Sequence, residues 1–118
     1  MAHHHKTGKI GEKLALEYLS KNGYSILHIN WRHIHWEVDI IGSRGNILHF
    51  VEVKTRRSLK FGNPEEGVSR KKLKNLIDAG EEFMHQNPLW KQICFNILSI
   101  NLCKGKPPQY FLIEDVYL

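Results

Sequence analysis

Three acidic residues and one lysine, spaced two apart in two neighbouring segments, have the types and spacing to do chemistry together. Glu37 and Asp39 lie in the first segment, Glu-Val-Asp-Ile-Ile. Glu52 and Lys54 lie in the second, Phe-Val-Glu-Val-Lys. In a β-strand, residues two apart point to the same face of the sheet. Carboxylates without a cysteine or a well-placed histidine favour a hard cation, Mg²⁺ or Mn²⁺, over zinc.

These two segments are predicted to form the strands of one hairpin. The residues between them, Ser-Arg-Gly-Asn at 43–46, include a glycine and an asparagine, which tolerate the backbone of a tight turn. A turn centred on the middle of this stretch would pair Asp39 with Phe50. It would also place Glu37 opposite Glu52. Any register of the same parity leaves the four charged residues on one face, whereas a slip of one residue separates them.

Carboxylates that face each other near a protein core repel, unless a cation lies between them. This repulsion is the physical argument for a metal ion. The alternative is an exposed sheet face on which the acids pair with nearby basic residues, since alternating charge is common on half-solvated strands. The basic residues available for such pairing are Lys54, Arg56 and Arg57.

The rest of the chain must supply the elements that position these residues. Helical spacing of apolar residues predicts helices over 6–22 and 68–86, the second after a loop at 62–64. Alternating or continuous apolar runs predict strands over 24–31, 37–42, 47–55, 93–102 and 109–113. The order αβββαββ indicates an α/β domain, a mixed sheet flanked by helices.

Length and composition favour a single soluble domain. The chain has 118 residues, of which 42% are hydrophobic and 25% charged. No apolar run approaches the roughly 20 residues that cross a bilayer, and the first residues do not resemble a signal peptide, so we expect a cytoplasmic protein with no membrane partner. Residues 1–5 are expected to be disordered. Cys94 and Cys103 are too few and too far apart for a zinc site, so we expect free thiols.

Positive charge is concentrated in one segment. The whole chain carries a net charge of +5, and the stretch 54–74 alone contains eight basic and two acidic residues. We call this stretch the basic segment. A basic cluster of this kind is typical of a surface that binds nucleic acid, because each cation near a phosphate releases counterions. The alternative is a solvated surface that only keeps the protein soluble.

Several motifs occur together in one order along the chain. They are Gly8-x-x-Gly11-Glu12-x-x-Ala15, Gly23-Tyr24-x-Ile26-Leu27-x-x-Asn30-Trp31-Arg32, Glu37-Val38-Asp39, Phe50-Val51-Glu52-Val53-Lys54, Gly62-x-Pro64-Glu65-Glu66 and Lys72. In this order the chain resembles the PD-(D/E)xK nuclease superfamily, which has the restriction-endonuclease-like fold. More narrowly it is similar to the YraN-like family, which resembles archaeal Holliday junction resolvases. The chain departs from the usual pattern at Trp36, where a glycine is typical.

The resemblance implies a role for each acidic residue. Asp39 and Glu52 would be metal ligands, and Lys54 would orient or activate water. Glu12 would be a further ligand or positioning group, although an acid in the first turn of a helix can equally complement the helix dipole. Glu37 would contact the metal-binding side chains without binding the ion itself, or it would pair with a basic neighbour.

Contacts to nucleic acid are expected from the basic segment and from nearby aromatic residues. The basic contacts would be Lys54, Arg56, Arg57, Arg70, Lys71 and Lys72, and for Lys72 a solvated charged face is the alternative. The aromatic residues Trp31, His33, His35 and Trp36 are suited to stacking on unpaired bases. More often such residues pack a strand against the core.

The sequence therefore predicts an endonuclease-like domain that binds structured or branched nucleic acid, with DNA favoured over RNA. Its chemistry would be hydrolysis of phosphodiesters with Mg²⁺ or Mn²⁺. One alternative is a non-catalytic nucleic-acid-binding module that keeps the nuclease fold, and another is a protein-interaction adaptor. Cleavage of junctions would need two active sites and hence a homodimer, although no sequence feature requires one.

Overall fold

The computed structural model describes residues 2–57 and 69–116, with side chains from residue 8 onward. Over these residues the predicted order αβββαββ is confirmed, and the arrangement is consistent with a restriction-endonuclease-like fold. The elements are α1 (Ala2–Lys21), β1 (Ser25–His33), β2 (Trp36–Arg44), β3 (Ile47–Arg56), α2 (Arg70–Gln86), β4 (Gln92–Asn101) and β5 (Gln109–Ile113). The loop expected at 62–64, with its motif, and the expected helix start at 68 lie outside the described residues.

The five strands form one mixed sheet in the order β1-β2-β3-β4-β5. Strands β3 and β4 are parallel and every other neighbouring pair is antiparallel. Parallel neighbours need a long crossover, and α2 lies on that connection. None of the helices in the described parts of the chain is long and apolar enough to cross a membrane.

One helix covers each face of the sheet. On the α1 face, Ala15 and Leu19 are buried against Val51 and neighbouring apolar residues. On the α2 face, Leu76 and Phe83 are buried with others. The apolar stripes that predicted the helices are therefore the surfaces that hold the two layers together.

Both helices begin at positions other than the expected ones. The first starts at Ala2 and includes residues 2–5, for which disorder was expected; no proline or glycine interrupts the stretch before Gly8. Glu12 consequently lies well inside α1, which has no acid in its first turn, so the helix-dipole explanation of Glu12 is wrong. The second starts at Arg70, because the Ser69 side chain accepts a hydrogen bond of 3.1 Å from the Lys72 amide.

The β2–β3 hairpin has the predicted parity but not the predicted register. Phe50 pairs with Ile41 and not with Asp39. Pairing begins at Arg44 and Ile47, so the turn is Gly45-Asn46, one residue later than expected, with Gly45 at a φ of 64°. A shift of the turn by one residue changes both strands equally, so the paired residues keep their predicted faces.

Further along β2, Trp36 and Val38 pack on the α2 side together with Ile41, so the alternation of β2 is interrupted between Val38 and Ile41. The prediction that Glu37 shares one face with Glu52 and Lys54 is therefore wrong.

Strands β2 and β3 separate halfway along their length. Their pairing stops at Ile40 and Val51. Residues 36–38 of β2 continue to pair with β1, up to Trp36 opposite His33, while residues 52–56 of β3 continue alongside β4. We call the opening between residues 36–39 and residues 52–56 the fork. The predicted site residues of both strands lie at this fork.

Candidate active site

Asp39 occupies the point where the fork opens. Its Oδ2 atom accepts a hydrogen bond of 2.8 Å from the backbone N–H of Val53. The side chain thus satisfies an amide of β3 that the β2 backbone no longer pairs. The carboxylate is held between the strands, beside the residue next to Glu52 in the chain.

Glu52 and Lys54 follow on β3 and point to the α2 side of the sheet, since Phe50 on the same face is buried against α2. The Glu52 side chain is only 18% exposed, and its Oε1 lies 3.9 Å from Nζ of Lys72 on α2. Lys72 is half-exposed, so this ion pair lies at the edge of the fork. The packing of α2 on the sheet therefore brings Lys72, predicted only as a phosphate contact, beside the acidic residues.

Burial makes the two carboxylates unusually reluctant to ionise. The pKa of Glu52 is raised to about 7, first by burial and next by the charge of Asp39, while Lys72 opposes the shift. The pKa of Asp39 is also raised, chiefly by burial and then by Glu37 and Glu12, against the lowering effect of the Val53 hydrogen bond. Two acids that share a poorly solvated space in this way favour a bound cation or a proton.

A cleft of about 620 Å³ opens over the fork. Glu12, Asp39 and Lys54 line it together, so α1 contributes to the same site as the sheet. Glu12 is positioned there by Asn30 of β1, whose Nδ2 donates a hydrogen bond of 2.7 Å to Glu12 Oε1. Among the described residues, the cleft is lined by Gly8, Lys9, Glu12, Asn30, Arg32, Asp39, Val53, Lys54, Thr55 and Lys72.

Glu37 pairs with a basic neighbour, which was the alternative to a role beside the metal ligands. It forms an ion pair of 3.4 Å with Arg32 across the β1–β2 ladder, and both side chains are exposed. Such an exposed pair contributes little to stability. Glu37 is still near enough to raise the pKa of both Asp39 and Glu52. Its charge therefore affects the site, although Glu37 is not among the residues that line the cleft.

The predicted nucleic-acid contacts are not all in one place. Arg56, at the end of β3, is 9% exposed, which leaves little of it for a ligand. Arg57 lines a separate pocket of about 340 Å³ with Lys104 and Lys106 of the β4–β5 connection. Arg70 and Lys71 are exposed at the start of α2.

Four cations face the cleft or its rim in the structure, and the sequence analysis named only two of them. Lys54 and Lys72 were expected, whereas Lys9 of α1 and Arg32 of β1 were missed. Arg32 belongs to the motif that begins at Gly23, and Lys9 belongs to the first predicted helix. No local signal shows that α1 and β1 turn these side chains toward β3, because that depends on how the layers pack.

The carboxylates suit a Mg²⁺ ion that also binds water and substrate better than a metal ion whose ligands all come from the protein. Among the described residues, no three His, Cys, Asp or Glu side chains converge closely enough to form a metal cluster. Asp39, Glu52 and Glu12 are therefore not a preformed three-ligand set. Mg²⁺ is often held by one or two carboxylates, with water and substrate phosphate completing its shell. Asp39 and Glu52 match that pattern.

Comparison with known proteins gives a consistent family match. A model of the uncharacterised protein family UPF0102 matches residues 11–100. A UPF0102 protein of Flavobacterium psychrophilum is 45% identical over 100 residues, which are 85% of this chain and 84% of that protein. A UPF0102 protein of Rhodococcus opacus is 36% identical over 118 residues, 99% of this chain and 100% of that protein.

Proposed function

The chain belongs to the UPF0102 family, and we propose that it binds nucleic acid at the cleft and hydrolyses a phosphodiester bond there with the help of Mg²⁺. The observation that carries the proposal is the pair Asp39 and Glu52, two poorly solvated acids at the fork; Asp39 lines the cleft, whose rim carries four cations. The rim cations are Lys9, Arg32, Lys54 and Lys72. A site that is acidic at its base and basic at its rim suits a phosphate that approaches through a divalent cation.

The two carboxylates would hold the ion. Bound Mg²⁺ lowers the pKa of a water molecule and neutralises charge on a phosphodiester. The Val53 amide fixes the Asp39 carboxylate against β3, so its orientation does not depend on the ion. The order of motifs resembles that of PD-(D/E)xK nucleases and supports the same assignment.

Lys54 would act on the substrate directly. Lys54 lines the cleft and lies two positions after Glu52 on the same face of β3. From there it can donate a hydrogen bond to the attacking water or to a phosphate oxygen, and stabilise developing negative charge. Lys72 is the cation beside Glu52, and a phosphate that enters the cleft would compete for it.

Binding would extend beyond the cleft along two basic surfaces. One is the start of α2, with Arg70 and Lys71 exposed next to Lys72. The other is the pocket that Arg57 shares with Lys104 and Lys106. Phosphate contacts at such surfaces position a nucleic acid without reading its sequence.

A second function is favoured by one specific observation. The described residues contain no preformed cluster of three metal-binding side chains. This finding would also suit a module that binds nucleic acid and does not cleave it. The basic surfaces would then carry the whole function. Both functions require nucleic-acid binding, so cleavage alone separates them.

The test uses labelled linear, flapped and four-way-junction DNA, with the corresponding RNAs, each incubated with Mg²⁺, Mn²⁺ or EDTA. We expect binding that weakens steeply with salt, and cleavage only with a divalent ion. The control is Asp39→Asn purified in the same way, which excludes a contaminating nuclease. Binding without cleavage of any substrate would leave the non-catalytic module, and the absence of salt-dependent binding would refute both functions.

A further inference from the structure

The hairpin that joins β1 to β2 has an unusual tip. It consists of Ile34 and His35, and we call these two residues the hairpin tip. Ile34 has a φ of 58°, in the left-handed region, and is 83% exposed. A β-branched residue strongly disfavours this backbone conformation, which glycine or asparagine adopts readily. Ile34 therefore costs stability in the turn and also leaves an apolar side chain in water.

Strain and exposure of this kind are typical of a residue kept for a contact with something outside the fold. Neither burial nor turn formation explains an isoleucine here, because a glycine would serve the turn better. The side chain projects at the end of a two-stranded hairpin, where the described residues leave it open to a ligand.

Next to the tip, aromatic rings form a nearly parallel series. The rings of Trp31 and His33 are 6.2 Å apart with planes at 11°, and those of His33 and Trp36 are 6.3 Å apart with planes at 22°. Trp31 packs edge-on against Phe83 of α2, and His33 lies 3.5 Å from the Glu82 carboxylate. Trp31 therefore packs its strand against the core, which was the alternative to base stacking for this residue. The same packing holds the aromatic series against α2.

The tip is connected to the cleft through both of its strands. Arg32, which lies between Trp31 and His33 on β1, lines the cleft. On β2, Asp39 lies three residue steps after Trp36, a distance of about 10 Å along the strand. This equals about three base steps along a nucleic-acid strand, at roughly 3.4 Å each.

From this geometry, and resting on the function proposed above, we infer that the hairpin tip recognises the branch point of a nucleic acid. Ile34 lies against the last base pair of the duplex, and the first unpaired base stacks on the Trp36 end of the aromatic series. Apolar side chains commonly wedge between bases, and bases stack on aromatic rings without regard to sequence. The substrate class is then DNA or RNA with a duplex-to-single-strand fork, whose phosphates reach the cleft through Arg32.

The experiment compares a forked DNA with a fully paired duplex of equal length by fluorescence anisotropy at one fixed salt concentration. A third DNA is the same fork without the base of the first unpaired nucleotide. The protein variants are Ile34→Gly and Trp36→Leu. Leu89→Asn is the matched control, because Leu89 is 92% exposed but lies in the α2–β4 connection, away from the tip.

We expect the wild type and Leu89→Asn to prefer the fork to the duplex by about tenfold, the effect of one well-stacked base. Removing that base, or introducing Ile34→Gly or Trp36→Leu, should abolish most of the preference while duplex affinity persists. Ile34→Gly should also melt at or above the wild-type temperature, since glycine relieves the left-handed strain, so loss of folding cannot explain its result.

Equal affinity of the wild type for fork and duplex would overturn the inference and leave the proposed function intact. If both variants keep the wild-type preference for the fork, the inference is likewise wrong and the proposed function stands. If sedimentation shows that the variants dissociate a dimer, the tip is an interface with a second copy and the inference is wrong. Absence of salt-dependent binding to any DNA or RNA would refute the proposed function, and the inference with it.

Discussion

The backbone N–H of Val53 donates a hydrogen bond of 2.8 Å to the Asp39 carboxylate, at the place where β2 and β3 stop pairing. A side chain thus replaces the ladder partner that the departing strand no longer supplies. The same bond holds one acid beside another, since Glu52 precedes Val53. Burial raises the pKa of both acids, and the charge of Asp39 raises the pKa of Glu52 further.

Stability should fall as the pH rises through the titration of Glu52. Because burial raises the pKa of Glu52 from 4.5 to about 7, the folded state binds its proton more tightly than the unfolded state does. Stability from this residue is therefore greatest below pH 4.5 and is lost between about pH 4.5 and 7. Glu52→Gln should be more stable than the wild type at pH 8 by about 2 kcal/mol, and no more stable at pH 4.5. Urea unfolding in EDTA at both pH values measures this.

The matched control is Glu81→Gln, which removes an exposed acid from α2. It should change stability by less than about 0.5 kcal/mol at either pH. A Glu52→Gln protein that is less stable than the wild type at pH 8 would contradict the assignment of a repelling pair.

Magnesium should stabilise the protein in the pH range where the pair is ionised. At pH 8, Mg²⁺ should raise the melting temperature by a few degrees relative to NaCl of equal ionic strength, because it binds the folded state only. The effect should be smaller at pH 5, where Glu52 is protonated. An equal shift in Glu52→Gln and in the wild type would place the ion elsewhere.

Asp39→Asn and Lys54→Ala should both stop cleavage but affect binding in opposite directions. The asparagine retains an oxygen that can accept from Val53 and removes a negative charge facing the phosphates, so affinity should be equal or higher. Lys54→Ala removes a cation from the cleft and should lower affinity. Cleavage and anisotropy assays on the same substrate measure both effects. Lys91→Ala is the control, since Lys91 lies in the α2–β4 connection and is not among the residues that line the cleft. Residual cleavage by Asp39→Asn would contradict its role as a ligand.

The start of α2 should determine how binding depends on salt. Replacing Arg70, Lys71 and Lys72 with alanine should weaken binding and make the slope of log K against log salt shallower by about one unit per lost phosphate contact. Lys91→Ala, in the connection at the opposite end of α2, should leave the slope unchanged. If the triple variant keeps the wild-type slope, these residues serve solubility alone.

Two glycines of α1 should respond oppositely to alanine. A Cβ at Gly11 would overlap the Thr55 side chain, whereas one at Gly8 would meet nothing within 4 Å. Gly11→Ala should therefore cost about 1–3 kcal/mol and displace Glu12, while Gly8→Ala should add up to about 1 kcal/mol through helix propensity. Unfolding curves measure both, and Thr55→Ala should restore part of the stability lost in Gly11→Ala. Additive effects of the two substitutions would contradict the close approach of α1 to β3.

The sequence alone determined the order of the elements and the face on which Glu52 and Lys54 lie. Both depend on local patterns, the helical and two-residue periods of apolar side chains and a turn with glycine and asparagine. The face was also insensitive to the error in the turn, because moving the Gly45-Asn46 turn by one residue preserves parity.

Only the tertiary structure decided where β2 leaves β3, and therefore where Asp39 meets Val53. The end of a ladder depends on which neighbour each strand follows, here β1 for β2 and β4 for β3, and no local pattern encodes that choice. The same holds for Lys9 and Arg32, which reach the cleft only through the packing of α1 and β1 around the fork. Contacts between residues distant in the sequence depend on all the layers at once, so they arise only in the folded chain.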